Sequence, residues 1–152
     1  MQAIGDLNSL SKNIRTRLQK TIDETSGNTC MTLILALSYS SHSEIVEAVR
    51  AISSMHKNNE IELEDINEAL VSNHLYTKDF PDPELLIRTS GEFRISNFLL
   101  WQLAYAEIYI TPKLWPDFRK EDLYEAIVNF QNRERRFGRT SEQILDEESV
   151  KK

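Results

Sequence analysis

The residues best suited to chemistry stand in one run, Arg88-Thr-Ser-Gly-Glu-Phe-Arg-Ile-Ser-Asn97, which leads into Phe98-Leu-Leu-Trp-Gln102. The run holds Arg88 and Arg94, the hydroxyls of Thr89, Ser90 and Ser96, the carboxamide of Asn97 and one glycine, Gly91. A guanidinium presents a planar fork of donors that matches phosphate oxygens. A glycine, lacking Cβ, lets backbone N–H groups come close to a ligand. These residue types point to an anion site, for phosphate or diphosphate. A solvated loop in which Arg88 and Arg94 pair with Glu84 and Glu92 accounts for the same residues equally well.

The elements that must position this run can be read on either side of it. Leu85-Leu86-Ile87 is a short apolar strand, entered through a turn at Asp82-Pro83. The run therefore begins where a strand ends, the edge at which open α/β sheets bind ligands. Phe98 to Tyr105 is expected to form a helix packed into the core, with Trp101 as a core residue. Glu107-Ile-Tyr-Ile110 is a strand stopped by Pro112. The carboxylate at its mouth, Glu107, either pairs with an arginine or offers a hard oxygen to a divalent cation.

Upstream, Ala3-Ile4 before Gly5-Asp6 reads as the end of a strand and its turn. Leu10, Ile14, Leu18 and Ile22 fall at helical spacing and predict a covering helix to Thr25, capped by Ser9 or Ser11 and closed by Gly27. Met31 to Tyr39 is a continuous apolar run, expected as a strand buried on both faces. Ser41-x-x-Glu44 then predicts a capping box, opening a helix with Ile45, Val49, Ile52 and Met55 inward. Lys57 to Glu60 is a loop. Leu63, Ile66 and Leu70 mark a short helix ending near Asn73, and Tyr76 to Pro83 is a loop. Downstream, Pro116-Asp117 opens a helix from about Lys120 to Asn132, with Leu123, Ile127 and Phe130 inward. The whole reads as α/β, with about four strands in a parallel sheet flanked by helices. His56 and His74 lack partners at metal-ligand spacing, so no zinc site is supported. His42, in a helix-entry turn, is read as structural or solvated.

The chain has 152 residues, enough for one domain with a real core. It contains no apolar run near the length of a membrane span and no basic segment followed by an apolar one at its start. Its single cysteine, Cys30, fits a reducing cytoplasm. The net charge of −6 argues against general nucleic-acid binding. Yet seven of the ten arginines lie at or after Arg88. A local cationic pocket on an acidic protein suits a phosphorylated small molecule.

The run from Arg88 to Gln102, followed by Ala104-Tyr-Ala-Glu107, resembles the last signature of the cis-prenyltransferases, and most nearly that of bacterial undecaprenyl diphosphate synthases. Trp115-Pro-Asp-Phe118 and Arg133-Glu-Arg-Arg-Phe-Gly138 are similar to the same family, densely from Asp82 to Gly138 and back to Ala3. The resemblance implies an enzyme that condenses isopentenyl diphosphate onto an allylic diphosphate such as farnesyl diphosphate, with cis double bonds, to make a polyprenyl lipid carrier. It implies that Arg88, Phe93, Arg94, Ile95 and Ser96 bind isopentenyl diphosphate. It implies that Glu107 holds Mg2+, and that Arg136 and Gly138 reach across a homodimer to the partner's substrate. The lipid product would be the only membrane contact. Residues 1–140 would be the carboxyl-terminal part of one domain, and 141–152 a polar tail.

The sequence departs from the family in two places. The turn that reads Asn-Tyr-Gly-Gly-Arg in the family is Ser38-Tyr-Ser-Ser-His42 here, which removes the basis for a phosphate contact by His42. The family's first signature, His-x-x-x-Asp-Gly-Asn-x-Arg-Trp, carries the catalytic aspartate and the allylic-diphosphate loop, and no Asp-Gly-Asn occurs in these residues. The chain is therefore expected to be part of a longer enzyme, inactive alone, with an incomplete sheet. It is also expected to be poorly folded or to associate, because missing strands bare a sheet edge and an apolar face. A non-catalytic partner subunit and an unrelated phosphate-binding module are the alternatives.

Overall fold

A computed structural model describes residues 1–133. These fall into two compact units. The first comprises residues 1–82 and 95–101, and the second residues 83–94 and those from Gln102 onward. The expected tail over 141–152 lies outside the described residues.

In the first unit, β1 (Gln2–Ile4) pairs in parallel with β2 (Ile34–Ala36), Ile4 standing opposite Ala36. The connection between them carries α1 (Lys12–Thr25). Gly5 follows β1 with φ +105°, a conformation open to glycine at little cost. A Cβ there would stand 2.2 Å from the Leu37 carbonyl oxygen, so this turn admits no side chain. The ladder is only three residues long, and this limits the strand expected over 31–39 to its centre. Met31 is 80% exposed and Leu33 51%, and the residues of β2 itself are half-buried, so the expected strand is not buried on both faces. In α1, Ser11 stands at the N-cap without a side-chain hydrogen bond, and no residue of the helix is buried. Its apolar stripe covers less than its spacing promised, Ile14 being exposed.

The core of this unit is Ile4, Leu75, Leu99 and one face of α2 (Ser41–Lys57). That face is Ser41, Glu44, Ala48 and Ile52; of the expected Ile45–Val49–Ile52–Met55 stripe, Ile52 is buried, Ile45 and Met55 are half-buried and Val49 is exposed. The cap is Ser40, whose hydroxyl accepts from the Ser43 N–H at 3.4 Å, one residue earlier than the expected Ser41 box. The Glu44 carboxylate is unavailable for a box because it is drawn inward, as described below. The helix expected near Leu63–Asn73 is split into a 3-10 turn at Leu63–Asp65 and α3 (Glu68–Ser72). Asn67 interrupts it by capping α3, its side chain accepting from Leu70 N–H at 3.0 Å.

In the second unit, β3 (Leu85–Arg88) pairs in parallel with β4 (Glu107–Ile110). α4 (Lys120–Gln131) follows a 3-10 turn at Trp115–Asp117. The α4 N-terminus is fixed by Asp122, which accepts from the Arg119 N–H at 2.8 Å, and acidic Glu121 and Asp122 oppose the positive helix end. The buried residues of α4 are Asp122 and Ala126; Leu123 and Ile127 are exposed. The four strands thus form two parallel two-stranded ladders flanked by helices, α/β as expected. No described helix is long and apolar enough to cross a membrane.

Candidate active site

Two parallel strand ends carry the polar groups of the signature. At the end of β3, Arg88 stands opposite Ile110, and its carbonyl accepts from the Thr111 N–H at 2.9 Å. The chain then turns through Ser90 (φ +67°) and Gly91 (φ +64°). The N–H of Ser90 donates to Lys113 O at 2.7 Å, and that of Gly91 to Thr111 O at 2.8 Å. The expectation that Gly91 frees backbone donors for a ligand is therefore corrected. Those donors close the turn against the segment that follows β4, and the anion-binding capacity of the loop rests on its side chains.

Of these, Phe93 is 86% exposed and Arg94 extends into solvent. Arg94 Nη1 meets Glu92 Oε2 at 2.5 Å, the pairing that the solvated-loop reading anticipated. With side chains 65% and 37% exposed, such a pair contributes about 0–1 kcal/mol and exchanges readily for a better anion. Arg88 is half-buried in the strand.

Glu107 begins β4 opposite Leu85, and Arg88 ends β3. In a parallel ladder these are opposite ends, about 10 Å apart along the strands at the usual rise of ~3.3 Å per residue. Arg88 and Glu107 thus start from opposite ends of the ladder. Glu107 Oε2 instead accepts from Arg133 Nη1 at 2.8 Å. Sequence reasoning allowed for an arginine partner but could not identify Arg133, which lies 26 residues away at the end of α4. Arg136 and Gly138 lie outside the described residues.

The second half of the run belongs to the first unit and has a structural task. Ser96, Asn97 and Leu99 have φ of +56°, +58° and +48°. Leu99 falls inside the expected helix, and a left-handed residue there interrupts it. The helix expected over Phe98–Tyr105 is accordingly a series of turns. Asn97 secures the α2 N-terminus. Its Oδ1 accepts from the His42 N–H at 3.0 Å, its carbonyl from the Ser41 N–H at 3.0 Å, and its Nδ2 donates to Ser40 Oγ at 2.8 Å. Leu100 N–H donates to Ser41 Oγ at 2.9 Å, and Trp101 Nε1 to Ser72 Oγ at 3.0 Å. Trp101 is half-buried with its one donor satisfied, as a core residue should be. Ile95 is half-buried and Ser96 is exposed.

Beneath this cap lies a buried carboxylate that sequence reasoning assigned only to capping. Glu44, 1% exposed, accepts from Tyr39 Oη at 2.5 Å and from the Tyr76 N–H at 2.8 Å. The Tyr76 hydroxyl bonds Glu47. Burial, then the carboxylate partner, raises the pKa of both tyrosines, so both remain hydroxyl donors at any physiological pH. Tyr39 also packs edge-on against Phe98 and Tyr76. His56 Nδ1 lies 3.0 Å from Ile61 O and His74 Nδ1 2.8 Å from Leu70 O, both structural uses. In the second unit, Lys113 bonds buried Asp122, lowering the carboxyl pKa and raising that of the amine.

Among the described residues no group of three or more His, Cys, Asp or Glu side chains is placed to hold a metal. Mg2+ is commonly held by one or two carboxylates plus substrate phosphates and water. Glu107 fits that donor set as a single ligand, and does not form a cage by itself.

Comparison with known proteins accords with this arrangement. Residues 1–138 match the family model described as "Putative undecaprenyl diphosphate synthase". The chain is 54% identical over 142 residues to the isoprenyl transferase of Porphyromonas gingivalis, covering 93% of this chain and 56% of that protein. It is 46% identical over 144 residues to the farnesyl-diphosphate-specific ditrans,polycis-undecaprenyl-diphosphate synthase of Vibrio parahaemolyticus, covering 95% of this chain and 57% of that one. The crystal structure of lavandulyl diphosphate synthase from Lavandula x intermedia, in complex with dimethylallyl diphosphate, superposes with a TM-score of 0.87 at 41% identity, over 90% of this chain and 59% of that one. The chain thus spans little more than half the length of these relatives. With the family model matched over residues 1–138 of 152, and relatives at about half identity, this chain belongs to the undecaprenyl diphosphate synthase family of prenyltransferases.

Proposed function

We propose that the chain provides the isopentenyl-diphosphate side of a cis-prenyltransferase, as part of a single domain over residues 1–140 that works as a homodimer in the cytoplasm. The observation that carries this reading is the 54% identity to an isoprenyl transferase over 93% of the chain. The exposure of Arg94 and Phe93 at the end of β3 supports it. In this reading Arg88 and Arg94 hold the diphosphate through forked bonds. Ser96 adds a hydroxyl, and Phe93 and Ile95 flank the ligand. Arg94 leaves Glu92 to do so, exchanging one surface carboxylate for a more highly charged diphosphate. Arg136 and Gly138 act on the partner's substrate. Glu107 is one ligand of Mg2+, which when bound would neutralise the leaving diphosphate.

The allylic diphosphate, farnesyl diphosphate by likeness to the Vibrio enzyme, needs an aspartate loop that these residues do not contain, so the 152 residues alone do not elongate a prenyl chain. Incubation with radiolabelled isopentenyl diphosphate, farnesyl diphosphate and Mg2+ should yield no chain-length product. The site itself is tested by isopentenyl diphosphate binding in calorimetry. Arg94→Lys keeps the charge but loses the fork. A charge-assisted hydrogen bond contributes roughly 1.5–3 kcal/mol, so the substitution should weaken binding by about one to two orders of magnitude. Unchanged affinity would return Arg94 to a solvated loop.

A further inference from the structure

The geometry points to Arg133 as the positioning residue for Glu107, fixing one carboxylate oxygen so that the other is presented to a divalent cation. This rests on the reading of Glu107 as a metal ligand. The guanidinium of Arg133 is held on three sides. Its Nε and Nη2 donate to Asn129 Oδ1, one turn earlier, at 2.9 and 2.7 Å. Its Nη1 donates to the Ile108 carbonyl at 3.0 Å and to Glu107 Oε2 at 2.8 Å. Asn129 and the backbone carbonyl at Ile108 orient the fork, and the carboxylate takes the second N–H of Nη1. The two side chains are 30% and 31% exposed, dry enough for the bonds to persist and open enough for a cation to reach Glu107.

A charged group placed just beyond the last turn of α4 is also in the position the helix dipole favours for a cation. Arg133 therefore has support of its own there. A lone flexible glutamate at a strand start would sample many rotamers, and a cation would have to freeze it. With Oε2 already bonded, that ordering precedes metal binding. Carboxylates that ligate metals are usually hydrogen-bonded by an outer partner of this kind, and loss of such a partner costs about 10–100-fold in metal affinity. The opposite sign is equally physical: a guanidinium on the carboxylate could compete with the cation, and its removal would then tighten binding.

Mn2+ binding to the purified 152-residue chain, with isopentenyl diphosphate present, separates the two by electron paramagnetic resonance of the free ion. Glu107→Gln should abolish the bound Mn2+ signal. Arg133→Gln should weaken Mn2+ affinity by about tenfold or more. Arg133→Lys, which keeps a charge without the fork, should fall between Arg133→Gln and wild type. Asn129→Ala trims the support without touching Glu107 or the charge, and should weaken affinity in the same direction by less. Thermal unfolding of each variant identifies any that fails to fold, and Asn129→Ala then decides in place of Arg133→Gln. Equal or tighter Mn2+ binding in Arg133→Gln or Asn129→Ala, with Glu107→Gln impaired, overturns the positioning role while leaving Glu107 as a ligand. Unchanged binding in Glu107→Gln, or no Mn2+ binding by the wild-type chain, removes the ligand reading and the inference with it.

Discussion

The two parallel strand pairs end differently. β1 and β2 are followed directly by Gly5 and Leu37, where backbone meets backbone so closely that no Cβ fits. The α2 N-terminus beyond them has its donors taken by Asn97 and its interior filled by Glu44. β3 and β4 finish at Arg88 and Ile110, and the turn beyond, closed by Ser90 and Gly91, leads to side chains that stand in solvent. The same supersecondary arrangement thus makes a sealed end in one unit and an open, cationic end in the other. The signature run is divided accordingly. Arg88 to Arg94 serves the open end, while Asn97 to Trp101 is spent on securing the sealed one. A signature in sequence is not by that fact a list of ligand contacts.

The two glycines offer the largest test of this difference. Both have positive φ, so alanine at either costs about 1–2 kcal/mol for the left-handed backbone. At Gly91 that is the whole cost, since a Cβ would make only an ordinary 3.7 Å contact with Pro112. At Gly5 the Leu37 carbonyl must also move, and strand pairing with it. Gly5→Ala should therefore destabilise by about 4 kcal/mol or more, in the exceptional class of single substitutions. Urea unfolding of both variants measures the gap. Equal losses would mean that the sealed end is not sealed.

Next in size is Glu44. Removing its side chain leaves the Tyr39 hydroxyl and the Tyr76 N–H without their acceptor in a buried setting. At about 1–3 kcal/mol for each stranded donor, Glu44→Ala should cost roughly 3 kcal/mol. Glu44→Gln retains an acceptor oxygen and should recover a good part of that loss. A loss under about 1 kcal/mol in Glu44→Ala, on the same scale, would show that water replaces the carboxylate and that this interior is wetter than its geometry implies.

Periodicity and turn chemistry made much of the fold legible. Apolar spacing located α1 and α4 to within two residues at either end, and Pro112 marked the end of β4. What escaped was set by tertiary contacts. Phe98-Leu-Leu-Trp looks helical on composition, but Asn97 is committed to the α2 N-terminus and Leu99 is left-handed, so the segment runs as turns. Ser41 and Glu44 have the spacing of a capping box, yet the carboxylate serves two tyrosine partners instead. In the site, the exposed Arg94 and the position of Arg88 at a strand end were readable. Arg133 was not, because nothing in local sequence links the end of α4 to the start of β4. Nor was it visible that parallel register would put Arg88 and Glu107 at opposite ends of one ladder.

The smallest expected effect is on stability at the open end, and it is the sharpest form of the comparison. If the loop after β3 is kept for a ligand, its cation should contribute almost nothing to folding. Arg94 is 65% exposed, and its ion pair with Glu92 lies in a loop where salt and water screen it. Exposed pairs of this kind contribute about 0–1 kcal/mol, and losing the arginine strands no buried group. Arg94→Ala should therefore shift the free energy of unfolding by no more than about 0.5 kcal/mol. In the same protein its affinity for isopentenyl diphosphate should fall at least as far as in Arg94→Lys. A variant that loses stability and affinity together would make Arg94 a structural member of the loop. Lost affinity at unchanged stability is what a residue held in reserve for a diphosphate must show.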